Sequence, residues 1–288
     1  MHVVTQQALS VRKLREQVGA EATGIALTAP VDEPTRLRLC DAVARHGCLV
    51  IRDQRFDAHA FLAAGRLFGE PVTRRYANPL PGLPLVQRLS SHDREEDGAV
   101  LRTGQSWHTD QADEERPPKF TLLYAVELFR EGGTTGIVNM RAAYEALPDA
   151  LKARLAGLKV VYGAPGPAKG RHQEPEGPGG SADAPPHWVV HPLVRTIPET
   201  GQRALHLHPG RVRGVVGLPP ALAKALLSDL VRRALRPEFI YNHAWTLGDL
   251  LLWDNRSTMH RANYDYDPMD TTQHRCMYRM MVEGERPR

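Results

Sequence analysis

Trp107-His108-Thr109-Asp110 and, far downstream, Trp253-Asp254-Asn255-Arg256-Ser257-Thr258-Met259-His260 are the two stretches on which the reading of this chain turns. His108 and Asp110 stand at i and i+2, so an extended backbone through Trp107 to Asp110 sends both side chains off one face. A third ligand must arrive from a distant element folded alongside. The apolar run Asp249-Leu250-Leu251-Leu252-Trp253-Asp254 reads as a short buried strand leading to His260. Two imidazoles and one carboxylate bound facially to a divalent ion leave three coordination positions open. With 13 histidines in 288 residues, an isolated H-x-D pair is common by chance, so the surrounding words must carry the weight.

The C-terminal segment His274-Arg275-Cys276-Met277-Tyr278-Arg279-Met280-Met281-Val282 reads as an apolar strand with arginines at i and i+4, which therefore face the same side. A buried arginine among such neighbours needs an anionic partner. Its planar fork suits a carboxylate, and it keeps its charge when buried.

These words resemble the taurine dioxygenase and dichlorophenoxyacetate dioxygenase family of Fe(II)- and 2-oxoglutarate-dependent dioxygenases. Gly19-Ala20-Glu21-Ala22-Thr23-Gly24-Ile25 is similar to the family's opening strand, and His46-Gly47-Cys48-Leu49-Val50-Ile51-Arg52-Asp53-Gln54 to its first core strand. Leu67-Phe68-Gly69-Glu70-Pro71 follows in order. The strongest matches are Trp107-His108-Thr109-Asp110, Gly132-Gly133-Thr134-Thr135, and Trp253-Asp254-Asn255-Arg256 leading to His260 and then Arg275. The resemblance runs over nearly the whole chain.

It implies a mainly β protein with flanking helices around a double-stranded β-helix (jelly-roll, cupin-like) core, with residues 1–288 forming a single dioxygenase domain. It implies Fe(II), 2-oxoglutarate and dioxygen as cofactors, with His108, Asp110 and His260 as the metal ligands and catalytic centre. By the same resemblance Arg275 holds the cosubstrate carboxylate with help from the Thr135 hydroxyl, and Arg279 reaches toward the metal and an anionic primary substrate. An exchange of roles between the two arginines is the alternative. Arg74 and Tyr76 fall where the family's substrate loop begins, and Arg211, with Arg213, falls in the opposite substrate wall. So many cations around one cavity favour a carboxylate, sulfonate or sulfate ester. The family's histidine after the Phe-Gly pattern is replaced near Arg74, which argues against taurine itself.

A carboxylate at Asp110 fills the position that related halogenases leave open for chloride, so the resemblance implies hydroxylation of a C–H bond, with release of succinate and carbon dioxide. Desaturation or cyclisation in secondary metabolism is the alternative within the same chemistry. Two readings of other classes compete. A zinc hydrolase could use the same H-x-D, but the chain has no HExxH and leaves Arg275 without a task. A non-catalytic metal- or 2-oxoglutarate-binding protein could share the barrel, and an intact triad argues against it.

Composition narrows the classes. Lys and Arg number 37 against 33 Asp and Glu, a net charge of +4, and the cations are scattered. The isoelectric point near 9.0 is then weak support for nucleic acid binding, and none is expected. No signal peptide and no apolar run long enough for a bilayer is legible, which points to the cytoplasm and away from a membrane partner. Cys40, Cys48 and Cys276 are an odd count without CxxC spacing, so they read as buried small apolar residues rather than a disulfide framework. The expected partner is a small anionic molecule. A homo-oligomer is compatible with the sequence and not dictated by it.

Along the chain, strands are expected at 49–51, 119–128, 187–196, 204–208, 238–245, 249–253 and 274–282. Helices are expected at 56–68, at 140–158 with a break at Pro148, and from Pro219-Pro220 through Leu235. Residues 163–186 are rich in Gly, Pro and Ala, and the expectation is a mobile loop able to serve as a lid, as is the 74–79 loop.

Overall fold

The computed structural model describes residues 9–73, 78–94, 104–163, 188–266 and 274–288. The expected loop at 163–186 lies outside them except for Gly163, which ends the strand Lys159–Gly163 and pairs with Trp188. Arg74, Tyr76 and most of the 74–79 loop also lie outside the described residues.

The larger sheet runs Ser10–Lys13, Ala20–Thr23, Cys48–Ile51, Leu250–Asp254, Phe120–Glu127, Cys276–Val282, Leu83–Ser90 and Pro79–Leu80, with Pro71–Val72 pairing the Cys276–Val282 strand. Its central strands read as continuous apolar runs because both faces are covered. Alternate residues divide between two cores. Leu49, Ile51, Leu122, Tyr124, Leu250, Leu252, Met280 and Val282 face the helices Glu33–His46 and Ala58–Arg66, which contribute Leu39, Val43, Phe61 and Ala64. Cys48, Val50, Leu123, Ala125, Leu251, Trp253 and Met277 face the opposite way, onto Ile137. Asp32 and Asp57 cap the two helices, accepting from the backbone N–H of Thr35 and Ala60.

Ile137 belongs to the smaller sheet Ile240–His243, Thr135–Asn139 and Thr258–Ala262. Its neighbours Val138 and Met259 turn outward, onto a third cluster with Met140, Tyr144 and Leu230. Two facing sheets with helices outside them make the jelly-roll architecture. Alternation then decides where the chemistry goes: Met259 points out, so His260, paired with Ile137, points in. On the C-terminal strand Met277 is inward, which puts Arg279 on the inner face. Val194–Thr196 and Arg203–Leu205 form a two-stranded ribbon, and Trp188–Pro192, Lys159–Gly163 and Val212–Val215 a three-stranded sheet.

The helix expected at 140–158 is two helices, Met140–Glu145 and Asp149–Leu155, broken at Pro148. Pro220–Ala234 starts at its proline pair as expected. The strand expected at 187–196 is divided by Leu193 into Trp188–Pro192 and Val194–Thr196. Among the described residues no helix is long and apolar enough to cross a membrane.

Candidate metal centre

His108 is not within a regular strand. It forms a single antiparallel bridge with His260, donating its N–H to His260 O at 3.0 Å and accepting from His260 N–H at 2.7 Å. Asp110 already lies in the following turn, where Gln111 takes φ 47°. The expected extended segment is thus one bridge long, yet it suffices, because the bridge locks the two imidazoles side by side with ring centroids 4.1 Å apart. One nitrogen of each imidazole and one oxygen of Asp110 all lie within 4.8 Å of one another. His108 Nε2 is 3.9 Å from Asp110 Oδ1, and His260 Nε2 is 3.8 Å from Oδ2.

The protonation states suit a metal, which binds a neutral imidazole and an ionised carboxylate. Burial, with the neighbouring His108 adding to it, holds His260 well below its ordinary range. Burial pushes Asp110 up, but the Arg279 guanidinium and the Thr121 hydroxyl oppose it and keep the carboxyl well below the usual range. Two nitrogens and a carboxylate oxygen match a divalent first-row ion. His108 Nδ1 lies 2.8 Å from Ser106 O, fixing that ring. His260 Nδ1 is buried with no hydrogen-bond partner among the described residues.

A relay of polar side chains holds Asp110. Thr121, fully buried in an otherwise apolar strand, donates to Asp110 Oδ2 at 2.6 Å. Asn255 donates to Thr121 Oγ1 at 2.8 Å and accepts from the Asp110 N–H at 3.3 Å and the Trp253 indole at 3.2 Å. The next residue anchors the turn: Arg256 bonds Asp254 at 2.9 and 2.8 Å and Glu199 at 2.8 Å. Asp254 and Asn255 thus serve as hydrogen-bonding scaffold. Thr121 was not singled out in the sequence, though a hydroxyl inside Phe120-Thr121-Leu122-Leu123 is a legible signal for a buried polar task.

A cavity of about 330 Å³ opens onto the triad and is lined by His108, Asp110, His260, Thr135, Arg275 and Arg279 together with Arg88, Arg94, Tyr264 and Tyr266. Arg279 donates to Asp110 Oδ1 at 2.5 Å. Arg275 has no carboxylate partner among the described residues: its Nε is buried and unbonded, and burial pushes its pKa down. Gly133, at φ +66°, admits it, since a Cβ there would lie 3.2 Å from Arg275 Cδ and 3.1 Å from Phe129. Thr135 is buried and lines the same cavity. Arg211 is not among the residues lining this cavity. It turns to Asp113 at 3.4 Å, while Arg213 donates to Gly163 O, so the expected second wall of cations is not assembled there. Trp107 packs over Gly136 and under Arg261, 4.8 Å from its ring centroid. Arg88, Arg94, Tyr264 and Tyr266 carried no distinguishing mark in the sequence.

Fold and site together define a jelly-roll oxygenase of the two-histidine, one-carboxylate class. The profile of the family described as "Taurine catabolism dioxygenase TauD, TfdA family" matches residues 10–281. The chain is 33% identical, over 96% of both chains, to the (S)-phenoxypropionate/alpha-ketoglutarate-dioxygenase of Sphingobium herbicidovorans. It is 31% identical to the alpha-ketoglutarate-dependent sulfate ester dioxygenase of Pseudomonas putida, over 97% of this chain and 91% of that one. A crystal structure of a taurine dioxygenase from Burkholderia xenovorans superposes with a TM-score of 0.81 at 31% identity, covering 98% of this chain and 91% of that chain. The chain belongs to the TauD/TfdA family and is a 2-oxoglutarate (alpha-ketoglutarate)-dependent non-haem iron dioxygenase.

Proposed function

We propose that this dioxygenase, acting as a single domain, hydroxylates a C–H bond of a small organic anion, with His108, Asp110 and His260 holding ferrous iron. Bound there, the iron and 2-oxoglutarate would supply dioxygen activation coupled to decarboxylation, yielding succinate and carbon dioxide. The chain's own residues do the rest. Thr121 and Arg279 fix the two oxygens of Asp110, and the backbone bridge fixes the two imidazoles. Arg275 and Thr135 take the far carboxylate of 2-oxoglutarate. The single observation carrying this reading is a buried arginine, in the same cavity as the triad, whose Nε is unbonded and which has no carboxylate partner among the described residues, since a buried cation favours an anion beside it.

For the primary substrate, Arg88 and Arg94 line the same cavity and would favour an anionic group. Relatives named for a phenoxypropionate and for a sulfate ester support a carboxylate, sulfonate or sulfate ester. Arg74 and Tyr76 remain candidate substrate contacts, and Arg211 is a weaker one because Asp113 already engages it. The three cysteines are free, which suits the cytoplasm.

The test is succinate release across a library of small anions with Fe(II), 2-oxoglutarate and air. Substrate-dependent succinate from at least one anion, with an oxygenated product, is the expected result. Under anaerobic conditions Fe(II) plus 2-oxoglutarate should give a weak visible charge-transfer band. A protein that shows no band and no succinate, yet hydrolyses esters with zinc, would overturn the proposal.

A further inference from the structure

We propose that Trp245 is a positioning residue that fixes the polarity of the Thr135 hydroxyl, and thereby makes the deep end of the cavity select a carboxylate over a carboxamide of the same shape. This rests on the reading of Arg275 and Thr135 as the 2-oxoglutarate site. The Trp245 indole donates from Nε1 to Thr135 Oγ1 at 3.0 Å. An indole nitrogen can only donate, whereas a hydroxyl both donates and accepts. Thr135 therefore accepts from Trp245, and its single proton is left for another group. Thr135 lines the cavity, so that proton is available to whatever occupies it.

The same indole also meets the second group at this end. Its ring centroid lies 6.0 Å from the Arg275 guanidinium carbon, within reach of an attraction between cation and ring face. One side chain thus touches both groups assigned to the distal carboxylate: its N–H sets the hydroxyl and its ring borders the cation.

Trp245 is itself held. His243 packs edge-on against it, with centroids 4.5 Å apart and planes at 79°. His243 is fully buried, with Tyr241 Oη 2.9 Å from Nδ1 and Asp249 3.2 Å from Nε2. Asp249 is bonded by Arg52 at 2.7 Å.

The consequence is a pair of donors at this end of the cavity, the guanidinium and the directed hydroxyl proton. A terminal carboxylate accepts both. A terminal carboxamide turns its NH₂ toward one of these two donors, and a donor facing a donor is costly. Without the indole N–H both lone pairs of the hydroxyl, rather than one, are free to meet the amide, and the distinction weakens.

The experiment is calorimetric binding of 2-oxoglutarate and of its 5-carboxamide to the Mn(II)-loaded protein, which binds without turning over. Trp245→Phe should weaken 2-oxoglutarate binding about five- to tenfold, the size of one ordinary hydrogen bond. It should also shrink the ratio of acid to amide affinity severalfold. Thr135→Val should lose the same preference, and adding Trp245→Phe to it should cost little more, since both remove one interaction. Replacing Trp245 by 3-benzothienylalanine, which keeps the shape and lacks the N–H, should reproduce the ratio change even if Trp245→Phe folds poorly. An unchanged ratio in the benzothienyl protein, or full additivity with Thr135→Val, overturns the inference. Wild-type protein that binds no 2-oxoglutarate at all would instead sink the functional reading beneath it.

Discussion

Arg279 donates from Nη2 to Oδ1 of Asp110 at 2.5 Å, which fastens the second arginine of the C-terminal strand to the carboxylate of the triad. Arg275, four residues earlier, has no such partner among the described residues and its Nε is left buried and unbonded. The two arginines thus differ: one is paired with a carboxylate of the protein, the other with none among the described residues.

Arg275→Ala should therefore raise the KM for 2-oxoglutarate steeply, by the equivalent of about 2–5 kcal/mol, since a buried charge pair loses one member. Arg279→Ala should leave that KM within a few-fold and lower iron retention instead. Uncoupled decarboxylation of 2-oxoglutarate, measured in both variants beside iron content, separates the two. A KM defect confined to Arg279→Ala would show that the roles are exchanged.

His108→Ala, Asp110→Ala and His260→Ala should each lose iron while the fold survives, because the ligands sit in a preformed barrel. The three should differ in stability. Asp110→Ala strands the Arg279 guanidinium and the Thr121 hydroxyl, whereas His108→Ala leaves both bonded. Urea unfolding of the metal-free proteins should find Asp110→Ala less stable than His108→Ala by about 1–3 kcal/mol. Equal stabilities would mean that the Arg279 contact contributes nothing net.

Gly133→Ala tests the approach of Arg275 directly. The residue takes φ +66°, and an added Cβ meets Phe129 and Arg275 at 3.1 and 3.2 Å. A left-handed alanine costs about 1–2 kcal/mol, and the displaced arginine should raise the KM for 2-oxoglutarate severalfold with kcat at saturation little changed. Thermal unfolding and steady-state kinetics on one preparation check both effects.

Acid should act through Glu199. Burial pushes this carboxyl up, but the Lys119 ammonium at 2.6 Å and the Arg256 guanidinium prevail and bring it down to about 2. A folded pKa below the unfolded value makes its contribution present above the ordinary glutamate pKa and lost as pH falls through the folded one. Glu199→Gln should thus be destabilised relative to wild type at pH 7, and the gap should close between pH 4.5, the ordinary value, and about 2. Because Glu199 is 39% exposed, solvent screening keeps the effect small. Urea midpoints of both proteins at pH 7 and pH 3 measure it.

Local signals were enough for several elements. Pro219-Pro220 starts a helix because proline suits its first turn, and Pro148 splits another because an interior proline cannot be accommodated. Leu250–Asp254 and Phe120–Glu127 were legible as buried strands from unbroken apolar runs. The helix Glu33–His46 and the strands Thr135–Asn139 and Thr258–Ala262 were not read, since mixed polar composition hid a periodicity that only packing reveals.

The residue types and order of the candidate metal site, His108, Asp110 and His260, and the arginine pair beyond it are legible in the sequence alone, because ligand chemistry resides in the side chains and the spacing of short motifs survives in one dimension. The tertiary structure decided which arginine is neutralised. It also turned Arg211 to Asp113 rather than to the cavity, and brought Thr121, Asn255 and Trp245 to the site. Those assignments depend on contacts between residues far apart in the chain. Strand register and hydrogen-bond direction create such contacts, and neither is written in any local stretch of the chain.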